Sequence, residues 1–158
     1  MRKYLAVAVV ITTIILLDQL TKQWAEQMLT LHQAEPVTGF VNLFLTYNRG
    51  AAFSFLNDAS GWQRWFFIVL TLMISSVLLT WLQKLPSKTG MTAMALALIL
   101  GGAIGNLLDR IRLGHVIDFI DVYYQDWHWP AFNLADSAIT LGAIMLALAL
   151  LKMEKTPT

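Results

Sequence analysis

The chain contains four apolar segments, each about as long as a bilayer core is thick. A membrane-spanning helix needs about 20 predominantly apolar residues, and such segments lie at about 4–24, 65–81, 91–108 and 135–151. With 57% hydrophobic and 13% charged residues, the chain lies outside the usual range of soluble domains. The sequence therefore predicts an all-α integral membrane protein with four transmembrane helices, in a single membrane-embedded domain over residues 1–158.

The basic residues predict how these helices are oriented. An even number of helices places both termini on one side, together with the connection that carries Lys84 and Lys88. Six basic residues lie on that side and five on the other, so the positive-inside rule makes it cytoplasmic. No A-x-A-like cleavage site follows the first apolar run, which is typical of an uncleaved first helix.

Two stretches between the predicted helices do not resemble membrane helices, and on this topology both lie outside. In the outer segment at about 37–56, Val41, Leu43, Leu45 and Tyr47 alternate with mostly polar residues. This period of two is typical of a half-buried strand. We expect a small extracytoplasmic β-sheet lying on the membrane surface. The second stretch, "IRLGHVIDFIDVYYQDWHWPAFN", mixes aromatic, acidic and β-branched residues between the third and fourth helices.

Several chemistries are excluded by what the chain lacks. It has no cysteine, so a thiol nucleophile and thiolate metal ligands are excluded. Its three histidines share no metal-binding spacing, and no G-x-S-x-G or phosphate-binding glycine loop occurs. We therefore expect no metal and no cofactor. A net charge of +1 without a long basic run indicates no nucleic-acid partner, which leaves membrane lipid and membrane-embedded ligands.

The acidic residues gather at one side of the membrane, since all but Glu154 lie in the outer halves of the helices or in the outer loops. Asp18 has Lys22 at i+4 on the same helix face, a spacing that favours a structural ion pair. Asp109 is adjacent to Arg110, which favours a permanently ionised carboxylate.

Asp118 and Asp136 have no adjacent cation and lie among apolar residues, so they are the better candidates for chemistry. Two carboxyl groups held a few ångströms apart share one proton, and such a pair can act as base on a water and acid on a carbonyl. The helix dipole favours Asp136 as the ionised member. Asp121 lies three residues after Asp118, so in an extended strand the two point to opposite faces.

Gly101 and Gly105 have the G-x-x-x-G spacing within the third helix. This spacing is typical of a helix that packs closely against a neighbour in the membrane.

Five blocks in order, "DQLTK", "NRGAAFS", "GGAIGNLLDR", "VIDFID" and "FNLADS", span nearly the whole chain. In these blocks the chain resembles the bacterial lipoprotein signal peptidases, also called signal peptidase II. The resemblance implies that Asp118 and Asp136 are a catalytic dyad. It also implies a surrounding substrate-binding and supporting site, formed by Asp18, Lys22, Asn48, Gly50, Ala51, Asn106, Asp109, Arg110, Asn133 and Ala135.

The resemblance further implies an intramembrane aspartic endopeptidase of the bacterial inner membrane. Its substrate would be a prolipoprotein whose cysteine carries diacylglycerol, cut just before that cysteine, and a globomycin-type cyclic peptide would inhibit it. Two other classes remain: a small proton-coupled transporter and a structural four-helix membrane protein. A transporter binds its ligand near the midplane between broken helices, whereas these acids cluster at one end.

Overall fold

The computed structural model describes residues 2–50, 61–86 and 90–154. It confirms the four predicted helices, which are α1 (Arg2–Met28), α2 (Trp62–Lys84), α3 (Gly90–Arg112) and α4 (Leu134–Glu154). All four are long and apolar enough to cross a membrane. Each is longer than its predicted apolar run because polar residues continue the helix at one or both ends.

Helix α3 is the centre of the bundle and contacts α1, α2 and α4. Most of its apolar span is buried within the protein, whereas the spans of the other three helices mostly face outward. The reason is composition, since buried positions of α3 carry small residues such as Ala93, Ala95, Ala97, Gly101 and Gly105. Small residues let neighbouring backbones approach closely.

The glycines of α3 confirm the close packing that their spacing predicts. A Cβ atom on Gly101 would lie 2.9 Å from Cβ of Ile14 in α1, and one on Gly105 would lie 2.6 Å from Oδ2 of Asp18. On the next face, a Cβ on Gly102 would collide with the backbone carbonyl of Ala135 in α4. These glycines bring α1 and α4 against the same end of α3.

A four-stranded antiparallel sheet lies beside the bundle, in the order β1 (Ala34–Thr38), β2 (Val41–Asn48), β3 (Val116–Tyr124) and β4 (Trp127–His128). The predicted outer strand is confirmed as β2, and the preceding strand begins slightly before the predicted segment. Residues 51–56 of that segment lie outside the described residues. The sequence between the third and fourth helices supplies β3 and β4, which the sequence pattern did not assign.

The sheet is attached to the end of α1 through an apolar cluster. Leu45 of β2 and Ile117 and Phe119 of β3 are buried against Ala25 and Leu29. Strand β3 also follows α3 in the chain, and β4 and α4 come after it. The sheet is therefore held at the end of the bundle where α4 begins, and the candidate site lies between the two.

Candidate active site

A cavity of about 800 Å³ lies between the sheet and the first turns of α4. Asp118 on β3 and Asp136 on α4 both line it. Four other residues of the predicted site share its wall, and these are Asn48, Gly50, Asn106 and Arg110. The fold thus brings together residues that are far apart in the sequence.

Strand pairing places Asp118, which lies opposite Thr46 in the antiparallel register of β2 and β3. Its side chain is buried and accepts two amide hydrogen bonds. The Asn48 Nδ2 donates to one carboxyl oxygen over 3.1 Å, and the Asn133 Nδ2 donates to the other over 2.7 Å. Both oxygens of Asp118 are therefore held by amide donors.

Burial raises the pKa of Asp118 to about 7, and the nearby negative charge of Asp136 adds to this effect. The two amide hydrogen bonds act in the opposite direction, because they stabilise the charged carboxylate. At neutral pH a substantial fraction of Asp118 consequently carries a proton, as a general acid requires.

Asp136 is positioned by the start of α4, through a reciprocal pair of hydrogen bonds with Asn133. The Asp136 backbone N–H donates to Oδ1 of Asn133 over 2.9 Å, and the Asn133 backbone N–H donates to Oδ2 of Asp136 over 3.2 Å. This is the capping-box arrangement, in which the residue before a helix and its third residue satisfy each other's amides. The "NLAD" sequence carries this signal, which was not used to predict the position of Asp136.

Asn106 also holds the Asp136 carboxyl group in position. Its Nδ2 donates to Oδ1 of Asp136 over 2.7 Å, while its Oδ1 accepts from Lys22 Nζ over 2.9 Å and from Asn133 Nδ2 over 3.1 Å. Because its oxygen already accepts these two bonds, the amide can present only its nitrogen to Asp136.

Behind the cavity, Lys22 is the centre of a buried ion cluster. Its Nζ lies 2.8 Å from Oδ2 of Asp18 and 2.7 Å from Oδ2 of Asp109. With the bond to Asn106, all three donors of the ammonium group have partners. The predicted Asp18–Lys22 pair is confirmed. Asp18 also accepts a hydrogen bond from the Ala135 backbone N–H over 3.0 Å, which ties the cluster to the start of α4.

The ion-pair partner of Asp109 in the structure is Lys22 and not its sequence neighbour Arg110. Adjacent residues on a helix point in different directions, so sequence neighbours rarely face each other. The Arg110 guanidinium instead lies 5.0 Å above the ring of Phe67, and its Nη2 donates to the carbonyl of Gly50 over 3.2 Å. Arg110 Nε is buried and has no partner among the described residues.

Asp121 lies outside this cavity wall, as the alternation along β3 predicts. It accepts a hydrogen bond from Asn42 Nδ2 over 2.9 Å, and its Oδ2 lies 2.9 Å from Nδ1 of His128 on β4. Asp121 is thus engaged in holding the edge of the sheet. Ala51, another predicted site residue, lies outside the described residues.

Gln19 contacts the buried ion cluster and was not predicted from the sequence. Its Nε2 donates to Oδ1 of Asp109 over 2.8 Å, and its Oε1 accepts from Nη1 of Arg112 over 3.2 Å. Gln19 lies between Asp18 and Lys22 in the "DQLTK" block, and this position was the sequence signal that could have indicated its role in the site.

The fold and the site define a class: a multi-pass membrane protein that holds a pair of aspartates in a cleft between its helices and a small sheet. The family model for signal peptidase (SPase) II matches residues 10–152, and the chain belongs to this peptidase family. It is accordingly a multi-pass bacterial membrane protein.

Relatives and solved structures agree with this assignment. The lipoprotein signal peptidase of Teredinibacter turnerae is 57% identical over 133 residues, covering 84% of this chain and 79% of that protein. The lipoprotein signal peptidase of Cellvibrio japonicus is 53% identical over 143 residues, covering 90% and 82%. A solved bacterial membrane enzyme superposes with a TM-score of 0.87 at 30% identity, covering 97% of this chain and 92% of the other.

Proposed function

We propose that this protein is an aspartic endopeptidase that removes the signal peptide from diacylglyceryl-modified prolipoproteins, by cleaving before the lipid-modified cysteine. The family and the names of the relatives support the reaction and the substrate class. The observation that carries the mechanism is the arrangement of Asp118 and Asp136, which line one cavity and share Asn133 as a hydrogen-bonding partner.

In the proposed mechanism the two aspartates have different protonation states. Asp136 lies in the first turn of α4, where the helix dipole favours a negative charge. Asp118, with a pKa of about 7, carries the shared proton. The carboxylate of Asp136 removes a proton from a water molecule, whose oxygen attacks the peptide carbonyl carbon while Asp118 donates its proton to the carbonyl oxygen.

The resulting tetrahedral diol then collapses. Asp136, now protonated, gives its proton to the departing amide nitrogen, and Asp118 takes one back from a hydroxyl group as the carbonyl re-forms. The carbon–nitrogen bond breaks, and both carboxyl groups return to their starting states. The products are a signal peptide with a free carboxyl end and a lipoprotein whose first residue is the modified cysteine.

The other residues of the site support this step. Asn48, Asn106 and Asn133 orient the two carboxyl groups through the hydrogen bonds described above. Arg110 lines the cavity, and its positive charge stabilises negative charge that develops there. Lys22, Asp18 and Asp109 act behind the cavity as positioning residues.

The expected topology suits such a substrate. Tyr4 Oη lies 3.5 Å from the backbone carbonyl of Gln83, so the start of α1 and the end of α2 share one end of the bundle, and the sheet lies at the other. With both termini cytoplasmic, the cavity opens at the outer face of the inner membrane. A substrate whose acyl chains stay in the bilayer presents its scissile bond at that interface.

The test is cleavage of a purified diacylglyceryl-modified precursor by the protein in detergent. Asp118→Asn and Asp136→Asn should each lower kcat by about 1,000-fold while folding and substrate binding persist, because an amide cannot exchange the catalytic proton. The double variant should be no worse, since residues that act as a unit are non-additive. Asp121→Asn is the matched control on the same strand and should keep most of the activity.

Two results would contradict the proposal. A transporter or a structural protein would yield no shortened product from any precursor. Near wild-type cleavage by Asp118→Asn, with a folded but inactive Asp109→Asn, would assign the acid–base role to Asp109 instead.

Chelators should leave activity intact, and a globomycin-type cyclic peptide should abolish it.

A further inference from the structure

The cavity that holds the two aspartates continues past them along α4. We call this part of the cavity the α4 arm. Its wall is formed by Ile139, Thr140, Leu141 and Ile144. Asp136, Thr140 and Ile144 are spaced by four residues, so they lie on one helix face. At 1.5 Å per residue, Ile144 lies about 12 Å beyond Asp136 along the helix axis. The arm therefore reaches well into the membrane-spanning part of α4.

The α4 arm is apolar and open at its side. Residues 137–144 include no charged side chain. Leu141 and Ile144 are 53% and 54% exposed, although they lie within a membrane span. In the bilayer this exposure is to lipid, so a group that stays in the hydrocarbon layer can enter the arm sideways without crossing water.

The sheet side of the same cavity is different in character. Thr46, Tyr47 and Asn48 of β2 line it with Asp118, and their polar groups lie among apolar side chains such as Phe44 and Val116. These polar groups suit an extended peptide backbone. The cavity thus has most of its hydrogen-bonding groups near the sheet and an apolar region along α4, and the two aspartates lie between them.

On the basis of the proposed function, we propose that the α4 arm binds an acyl chain of the lipid-modified cysteine. That cysteine follows the scissile bond directly, so its lipid begins within one residue of the aspartates. The acyl chains must leave this point toward the bilayer. The α4 arm begins at Asp136 and leads in that direction.

The dimensions favour an acyl chain over the helical signal peptide as occupant. A helix with side chains is about 10–12 Å wide and carries side chains all round its axis. The α4 arm is bounded along α4 by a single helix face, which runs from Asp136 to Ile144. A single hydrocarbon chain is far narrower than a helix and can follow the helix face from Asp136 to Ile144.

The experiment fills the end of the arm and varies the length of the lipid. One precursor peptide is prepared with dipalmitoyl and with dihexanoyl glycerol, and KM and kcat are measured for both. Ile144→Trp should raise KM for the dipalmitoyl substrate about tenfold, while KM for the dihexanoyl substrate, whose much shorter chains make less contact at Ile144, should change less than about twofold. Leu148→Trp is the matched control, because Leu148 lies one turn further, is exposed and does not line the cavity. It should change neither value.

Two results of this experiment would overturn the proposal. An equal rise of KM for both substrates would overturn the proposal in favour of the peptide chain as occupant, and no rise for either would overturn it outright. If Ile144→Trp does not fold, Ile144→Ala should still raise KM for the dipalmitoyl substrate alone, through lost apolar contact. Failure of the wild-type protein to cleave either precursor would instead refute the proposed function itself.

Discussion

Asn133 shows how much of the candidate site can depend on one residue. Its backbone and side-chain oxygen form the capping box with Asp136, and its amide nitrogen donates to Asp118. One side chain thus begins α4 and holds both aspartates. An N-x-x-D pattern before an apolar run can be recognised in a sequence. The bond to Asp118 cannot, because it depends on where β3 lies.

Asn48 provides a prediction for the pH dependence of cleavage. The reaction needs the shared proton, so kcat/KM should fall as pH rises through the Asp118 pKa of about 7. The Asn48 amide stabilises the charged form and therefore lowers this pKa. Asn48→Ala should consequently move the alkaline limb of the profile to higher pH, by up to about one unit.

The control for this experiment is Asn42→Ala, because Asn42 donates to Asp121 instead of Asp118. It should leave the alkaline limb of kcat/KM unchanged. An unshifted limb in Asn48→Ala would show that Asp118 is not the group that titrates there.

Lys22 provides a prediction for stability. Lys22→Met leaves the buried carboxylates of Asp18 and Asp109 without their cation. Removing one partner of a buried ion pair costs about 3–5 kcal/mol, so the melting temperature in detergent should fall strongly. The exposed Lys84 supplies the matched control, Lys84→Met, which should melt like the wild type. Normal melting of Lys22→Met with complete loss of turnover would mean that Lys22 acts in the chemistry.

Among the elements, α3 determines how closely the bundle packs at the site. Gly105→Ala places a Cβ atom 2.6 Å from Oδ2 of Asp18, which must move and disturb its bond to Lys22. Overpacking of this kind typically costs about 1–3 kcal/mol. Thermal unfolding should show the loss for Gly105→Ala and not for Gly90→Ala, since a Cβ at Gly90 meets nothing within 4 Å. Equal melting of the two variants would contradict this account of the packing.

Strand β3 illustrates what an element adds to a residue pattern. Its sequence "VIDFIDVYY" carries two aspartates among apolar residues, and strand alternation separates them. Asp118 faces the cavity, whereas Asp121 bonds to Asn42 and His128. The period-two rule was sufficient to predict that they differ. The identity of the partners of Asp121 required the register of β2 against β3.

At the scale of the whole molecule, the orientation in the membrane can be tested directly because the chain has no native cysteine. Glu35→Cys on β1 and Pro86→Cys in the connection after α2 are both at exposed positions. With the termini cytoplasmic, an impermeant thiol reagent added outside should label Glu35→Cys alone. Labelling of Pro86→Cys should require permeabilised membranes. Labelling of both from outside would refute the four-span topology.

The membrane character, the number of helices, the outer strand β2 and the close packing at the glycines could all be predicted from the sequence. These features depend on local composition and spacing, which the chain carries wherever it folds. The sequence also indicated the Asp18–Lys22 pair, because residues four apart on a helix face each other regardless of the rest of the fold.

The contacts between groups far apart in the sequence could be identified from the folded structure alone. It pairs Asp109 with Lys22 instead of Arg110, and it brings Asn106 and Asn133 between the ion cluster and the aspartates. It also places Asp118 and Asp136 in one cavity that continues along α4. The physical reason is that these contacts join α1, α3, β3 and α4, so they depend on helix packing and strand register. Neither is encoded in the spacing of any single segment.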